Sequence, residues 1–414
     1  VPRRDRRLTG FTVTAASLML LATGCGVQRD EAGGTAASAA PSTCDTKEES
    51  PGVTESEIKL GVTSGLSGPS ASAAKPALDG QQWYFDKINA AGGIQGRKIK
   101  LTVLDDQYQP NVALQNVRRL VDQENVFAIT GGVGTQNFVG GLPYINQAKI
   151  PAVAPYAPSN QIGTMQNPYV YMLWTNFSDE FEALTRFLIE KRNVKSFSIL
   201  AMNGDVGDDA LAGAKKVLDA AGMEFKTVVR SEPNTTDYRP IAEQLKQAGA
   251  DYVLFLATPP DVGNAITAMQ KIGYKPGIGA QSDMLDSGWI EAFGSVAQGL
   301  VAPSKLANLE KSDDPKVKQF VADWTSAHSG KAPTSWNTVG YVQALVTAEA
   351  LKQAEALTRS CFEASLQKMT DFETGVIPPI TFGPQERQGV RAAGIEGIKD
   401  TGTVTEQPFT AIGN

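Results

Sequence analysis

Histidine and cysteine are scarce: the 414 residues contain one histidine, His328, and three cysteines, Cys25, Cys44 and Cys361. Zinc sites draw on clusters of these two residue types, so no metal centre of that kind is expected. A nucleophilic Ser or Cys has no histidine partner except His328, which lies in "SAHSGKAP" at a helix end. Neither G-x-S-x-G nor H-E-x-x-H occurs. Basic excess is also missing. The chain has 38 Lys and Arg against 44 Asp and Glu, a net charge of -6, which argues against a nucleic-acid partner. The Gly-Lys-Ser/Thr run of a P-loop is absent, and Gly132-x-Gly134 begins a dinucleotide fingerprint that Asn137 breaks. No cofactor is expected. The carboxylate pairs Asp105-Asp106, Asp208-Asp209 and Asp313-Asp314 read as solvated or capping residues. They leave a carboxylate-only hydrolase as a rival reading.

The N-terminal segment reads as an export signal. Arg3, Arg4, Arg6 and Arg7 precede the apolar run Phe11 to Ala22, which is too short for a permanent membrane helix. "LLATGC" then places Gly24 before Cys25 and resembles a lipobox. That pattern implies a signal over residues 1–24, a lipid on Cys25 and an extracytoplasmic protein held at the cell membrane. Residues 25–56 are rich in Ala, Gly, Ser and Thr without apolar period, and read as a flexible tether. In an exported protein Cys44 and Cys361 are either paired as a disulfide or two free thiols.

From Glu57 the sequence alternates strands and helices. "IKLGVT", "KIKLTVLDD", "VFAIT" and "IPAVAP" are strand-like. Between them lie helical stretches, Pro76 to Ala91, Asn111 to Gln123 and Asn137 to Ala148, the last broken by Gly140-Gly141 and Pro143. A second block follows, from a helix over Ser178 to Arg192 with Ser178 as N-cap, through strands "SFSILA", "EFKTVVR" and "DYVLFLA". Its other helices are Asp208 to Ala221, Tyr238 to Ala248 and Val262 to Ile272. Helices over Pro315 to Ala327, Val339 to Ala356 and Phe362 to Met369 precede short strands "PITF" and "AGIEGIKD". Repeated strand–helix units of this length predict an α/β fold of two lobes with parallel sheets.

Ligands of open parallel sheets sit beyond the carboxyl ends of the strands. Three glycine-bearing loops fall there: "SGLSGPS", "GGVGTQ" and "NGDVGDD". The second is the most suggestive, since backbone amides around Gly132–Gly134 and the Thr135 hydroxyl would suit a carboxylate. A tight turn whose glycines serve packing alone is the bland alternative. Ser67, Gly68 and Asp205 are further candidates by the same strand-end rule. Trp83 and Trp174, inside apolar segments, are expected to pack in core and hinge.

"IKLGVTSGLSGP", "DKINAAGGIQGRKIKLTVLDDQYQP", "VFAITGG", "IPAVAP" and "GVIPPITFGPQERQG" together resemble the type I periplasmic substrate-binding proteins, most of all the Leu/Ile/Val-binding branch that serves ABC importers. The resemblance runs from about Ile58 to the end. It implies two Rossmann-like lobes joined by a three-crossover hinge, closing on a small ligand. Crossovers are expected near Leu173-Trp174, Val301-Ala302 and Val376-Ile380. These give one lobe from 57–173 with 302–376 and another from 174–301 with 377–414. It also implies a non-enzymatic monomer that hands its ligand to permease subunits. Matched positions that touch ligand are Gly132, Val133, Gly134, Thr135, Ala154 and Tyr156 in the first lobe, and Val206, Thr258, Gln281 and Asp283 in the second. Relatives place an acidic residue for the ligand ammonium where Gln281 stands, with Asp283 two positions on. An α-amino acid, an amide, a urea-like compound, a small aromatic acid or a peptide fragment therefore all remain open. A sensing receptor module of this fold and an envelope amidase or hydrolase are the rival functions.

Overall fold

The computed structural model describes residues 43–412. The expected signal and the lipid on Cys25 lie outside the described residues. The first block runs β1 (Glu57–Ser64), α1 (Ala71–Ala90), β2 (Lys98–Asp105), α2 (Pro110–Asp122), β3 (Ala128–Thr130), α3 (Thr135–Ala148), β4 (Ala152–Val153) and β5 (Val170–Tyr171). The second runs α4 (Phe177–Arg192), β6 (Phe197–Met202), α5 (Asp205–Ala220), β7 (Phe225–Ser231), α6 (Arg239–Ala248), β8 (Tyr252–Leu256), α7 (Pro259–Lys271), β9 (Gly277–Ala280), α8 (Ser287–Phe293) and β10 (Val301–Ser304). Then come α9 (Pro315–Ala327), α10 (Ser335–Gln353), α11 (Arg359–Gln367), β11 (Ala392–Lys399) and β12 (Gly402–Ala411).

The strands form two sheets, in the orders β2-β1-β3-β4-β5 and β12-β11-β10-β9-β8-β6-β7. Every pairing in the first is parallel. The second is parallel from β10 to β7 and antiparallel across β10-β11-β12. This is the two-sheet α/β architecture expected. β12 is an addition: it lies at the sheet edge, and Pro408 falls in the irregular stretch of its register with β11.

Each sheet organises its own apolar core. The first gathers buried residues from Ile58 to Trp174 and from Val317 to Val390. The second is surrounded by two clusters drawn from Phe177 to Ala302 together with Ile395 and Ile398. The chain thus changes core between Trp174 and Phe177, around Lys305, and after Val390. The last change comes later than the crossover expected near Val376-Ile380, because Val376, Ile377, Ile380 and Phe382 all bury against the first core.

Several local expectations change. α3 is one continuous helix through Gly140-Gly141 and Pro143. Its glycine serves close packing, since a Cβ on Gly140 would come within 2.4 Å of the Pro110 carbonyl oxygen. α4 is capped by Asn176, not Ser178: the Asn176 side chain accepts from the Asp179 amide at 2.7 Å. "PITF" is not a strand, and only Ile380 makes a single antiparallel bridge, to Phe372. The tether's described end is pinned to the body. Cys44 and Cys361 form a disulfide, and the Asp45 amide donates to Ser360 Oγ at 3.0 Å. Among the described residues no helix is long and apolar enough to cross a membrane.

Candidate ligand site

The carboxyl ends of β1, β3 and β4 in one lobe face those of β6, β8 and β9 in the other. A cavity of about 640 Å³, part of it open to solvent, lies between them. Of the residues named from the sequence, Val133, Gly134, Thr135, Tyr156, Val206, Thr258, Gln281 and Asp283 line it. Ser67, Gly68, Gly132, Ala154 and Asp205 do not. Ser67 is exposed and turned onto Asp105, with its hydroxyl donating at 2.6 Å. Gly68 is exposed on the same turn, and Asp205 is exposed at the start of α5. The Gly132 carbonyl is used behind the wall, accepting from the Tyr156 amide and from Gln343. Ala154 is wholly buried, and its amide donates to Tyr171.

The glycine loop itself differs from the expected amide cradle. The Val133 amide already donates to Ser64 Oγ at 3.0 Å, and the Gly134 amide to the Tyr156 carbonyl at 3.1 Å. What the loop offers a ligand is the start of α3. Gly134 is its N-cap at φ 127°, a backbone region open to glycine, and a Cβ there would strike Asn137 Oδ1 at 2.1 Å. The first-turn amides of a helix lack partners within the helix and carry partial positive charge. Buried Thr135 stands at this end. The loop after β2 is locked beside it. Buried Asp106 accepts from Thr63 at 2.9 Å and from Asn137 at 2.8 Å, and burial raises its pKa despite those bonds.

The opposite wall is made of acceptors. Gln281 is 1% exposed; its amide nitrogen donates to the Ala257 carbonyl, which leaves Oε1 as a buried acceptor with no hydrogen bond. Asp283 stands beside it and accepts from the Tyr156 hydroxyl at 2.6 Å. Behind these residues Glu180 and Lys305, both almost fully buried, form an ion pair. The Ser282 amide donates to the second Glu180 oxygen at 3.0 Å, and Lys305 Nζ lies 5.0 Å from the Tyr156 ring centre. Burial raises the pKa of Asp283 and of Glu180, while Lys305 opposes both shifts. Burial also pushes the Tyr156 hydroxyl well above its ordinary value, so it remains a proton donor at neutral pH.

Apolar and aromatic residues fill the sides: Tyr108, Phe177, Met202, Leu256 and Trp336. None of these was singled out from the sequence. Tyr108, Met202 and Leu256 follow from the strand-end rule that flagged the glycine loops. Trp336 does not, because it enters from the start of α10. A reciprocal cap holds it there: Thr334 Oγ1 accepts from the Asn337 amide and Asn337 Oδ1 from the Thr334 amide. Trp174 is fully buried beside Tyr156, and Trp83 joins a lobe-one aromatic cluster with Trp324 and Phe320. His328 stacks on Trp324 in that cluster, away from the cleft residues.

A two-lobed α/β protein with a cavity between its sheets has room to hold a small ligand there. The sequence matches the family model described as periplasmic binding protein over residues 57–403. A Leu/Ile/Val-binding protein homolog from Brucella abortus is 26% identical over 337 residues, covering 77% of this chain and 82% of the relative. A leucine-, isoleucine-, valine-, threonine-, and alanine-binding protein from Pseudomonas aeruginosa is 20% identical, over 64% of this chain and 70% of the relative. Among solved structures, a fatty acid ABC transporter substrate-binding protein from Thermomonospora curvata aligns with a TM-score of 0.80 at 22% identity, over 88% of this chain and 95% of the other. A leucine binding protein from Thermotoga maritima aligns with a TM-score of 0.76 at 18% identity, over 86% and 99%. The chain belongs to the type I periplasmic binding proteins, in the branch of the Leu/Ile/Val-binding proteins. Members of this family are binding proteins with an extracytoplasmic station.

Proposed function

We propose that this protein captures a small zwitterion, an α-amino acid with an apolar side chain, and delivers it to an ABC permease without chemical change. One observation carries the reading: a donor wall faces an acceptor wall across an apolar cavity. The start of α3 and Thr135 suit a carboxylate. Gln281 Oε1 and the Asp283 carboxylate suit an ammonium group, so Asp283 takes the role expected of an acid at position 281. Tyr108, Phe177, Leu256 and Trp336 suit a hydrocarbon side chain. The names of the Brucella, Pseudomonas and Thermotoga relatives agree with that class. Contacts from both lobes favour the closed form, which the permease reads. A lipid on Cys25 would hold the protein at the membrane surface as a monomer.

Thermal-shift measurement with the full chain tests this. The panel is amino acids, their amides, and carboxylates that lack an ammonium group. A ligand at about 100 times its dissociation constant adds about 2.7 kcal/mol. The expected result is a shift with one or more apolar amino acids that Thr135→Ala and Asp283→Asn each weaken. A response confined to compounds without an ammonium group overturns the amino-acid reading. Incorporation of a fatty-acid label that survives Cys25→Ala overturns the anchor.

A further inference from the structure

A second cavity, about 1000 Å³ with its part open to solvent, adjoins the first on the side of the crossover around Lys305. The two share three wall residues: Tyr156, Asp283 and Trp336. We propose that Tyr156 is the partition between them and sets the length of ligand the protein accepts. The proposal rests on the reading above for the head group of that ligand.

Tyr156 is built as a fixed wall. Its hydroxyl is held by Asp283 at 2.6 Å. Its ring centre lies 5.0 Å from Trp174 on one side and 5.0 Å from Trp336, edge to face, on the other. Trp336 belongs to a capped helix, whereas Tyr156 sits on the loop after β4 and reaches across the cleft. Of the polar anchors, Asp283 stands at the boundary of both cavities, while Thr135 and Gln281 line only the first. A ligand held by its head group there must stop where its chain meets the Tyr156 ring. Beyond the ring the second cavity carries hydrocarbon from Leu285, Ile290, Leu309 and Val339 alongside polar groups of Asp286, Asn308 and Glu396. The apolar part of that lining gives a longer hydrocarbon chain somewhere to lie, and removing the ring joins the two volumes.

The test is a homologous series read by thermal shift: straight-chain α-amino acids from alanine to α-aminodecanoate, with unbranched carboxylates of the same lengths in parallel. The wild type is expected to respond up to a cut-off length and not beyond. Tyr156→Ala moves that cut-off several carbons longer. Tyr156→Leu moves it part of the way and serves if the alanine variant does not fold. Tyr156→Phe loses the Asp283 hydrogen bond but keeps the ring, so it gives smaller shifts with an unchanged cut-off. An identical cut-off in wild type and the truncated variants overturns the proposal, as does a Phe variant that lengthens it as far as alanine does. A length change seen only with the carboxylates upholds the partition and sinks the amino-acid reading. No response to either series in any variant sinks both.

Discussion

The Tyr156 hydroxyl of the first lobe donates to Asp283 Oδ1 of the second at 2.6 Å, and so ties the two sides of the cleft together. A second tie lies nearby, where Ser159 Oγ and the Asn160 amide donate to Asp209 Oδ2 at 2.7 and 2.9 Å. Both use a carboxylate of the second lobe as acceptor. Closure is therefore stabilised by the protein's own groups, and ligand contacts add to them.

The Tyr156–Asp283 contact carries a pH signature. Burial raises the Asp283 pKa, opposed by Lys305 and by the Tyr156 hydrogen bond, and Glu180, Tyr108 and Asp286 also face it electrostatically. The folded chain then holds this proton more tightly than the unfolded chain. Stability from this group is present at low pH and is lost as pH rises from the ordinary carboxylate range through the raised value. Asp283→Asn removes the ionisation. The melting temperature of the variant minus that of wild type is expected to grow between about pH 4 and about pH 7. A difference that is flat over that range contradicts the assignment. Comparing variant with wild type cancels buried carboxylates that do not feel Asp283, such as Asp209, while Glu180 and Asp286 shift together with it.

Glu180 and Lys305 give a sharper result. Glu180 is fully buried in the first turn of α4, and Lys305 reaches it from the crossover after β10. Lys305→Met leaves a carboxylate buried without its partner, which costs about 3–5 kcal/mol. Lys305→Met combined with Glu180→Gln removes both charges, and most of that loss is expected to return. Chemical denaturation of the two single variants and the double variant measures the coupling. Additive losses would mean that the pair is not energetically linked.

How much of this was readable beforehand depends on chain order. β1, β2, β6 and β8 announce themselves through apolar runs bounded by turns, and the loops after the strands hold most of the cleft residues. Tyr156, Thr258, Gln281 and Asp283 lie on such loops. Trp336 was not readable because its place comes from α10 returning across the first lobe after a long excursion. Ser67 and Asp205 were misplaced for the opposite reason. They lie on strand-end loops, but the Asp105 side chain turns Ser67 outward and helix α5 begins with Asp205 on its exposed side. Strand-end position brings a residue near the cleft, while local hydrogen bonds decide which way it points. The glycine loop shows the same limit, since its amides are consumed by Ser64 and Tyr156. Lys305 and Glu180 carry no local pattern that distinguishes them from surface charges.

The disulfide between Cys44 and Cys361 joins residues 317 positions apart. It fastens the segment before β1 to α11, and hydrogen bonds from the Asp45 amide to Ser360 and from the Ser360 amide to Glu48 act beside it. Closing a loop of this length restricts the unfolded chain, and a native disulfide contributes about 2–4 kcal/mol. Cys361→Ser, or reduction of the wild type, is expected to cost that much in denaturant unfolding. Neither cysteine lines the interlobe cavity, so ligand affinity should stay within about twofold, as for sites that share no partners. Reduction should also free Lys47, two residues from the Asp45 anchor, to tryptic cleavage before the body is cut. Loss of ligand binding on reduction, at a temperature where the chain remains folded, would show that α11 is coupled to the cleft. Unchanged stability and unchanged proteolysis would show that the hydrogen bonds alone hold the segment in place.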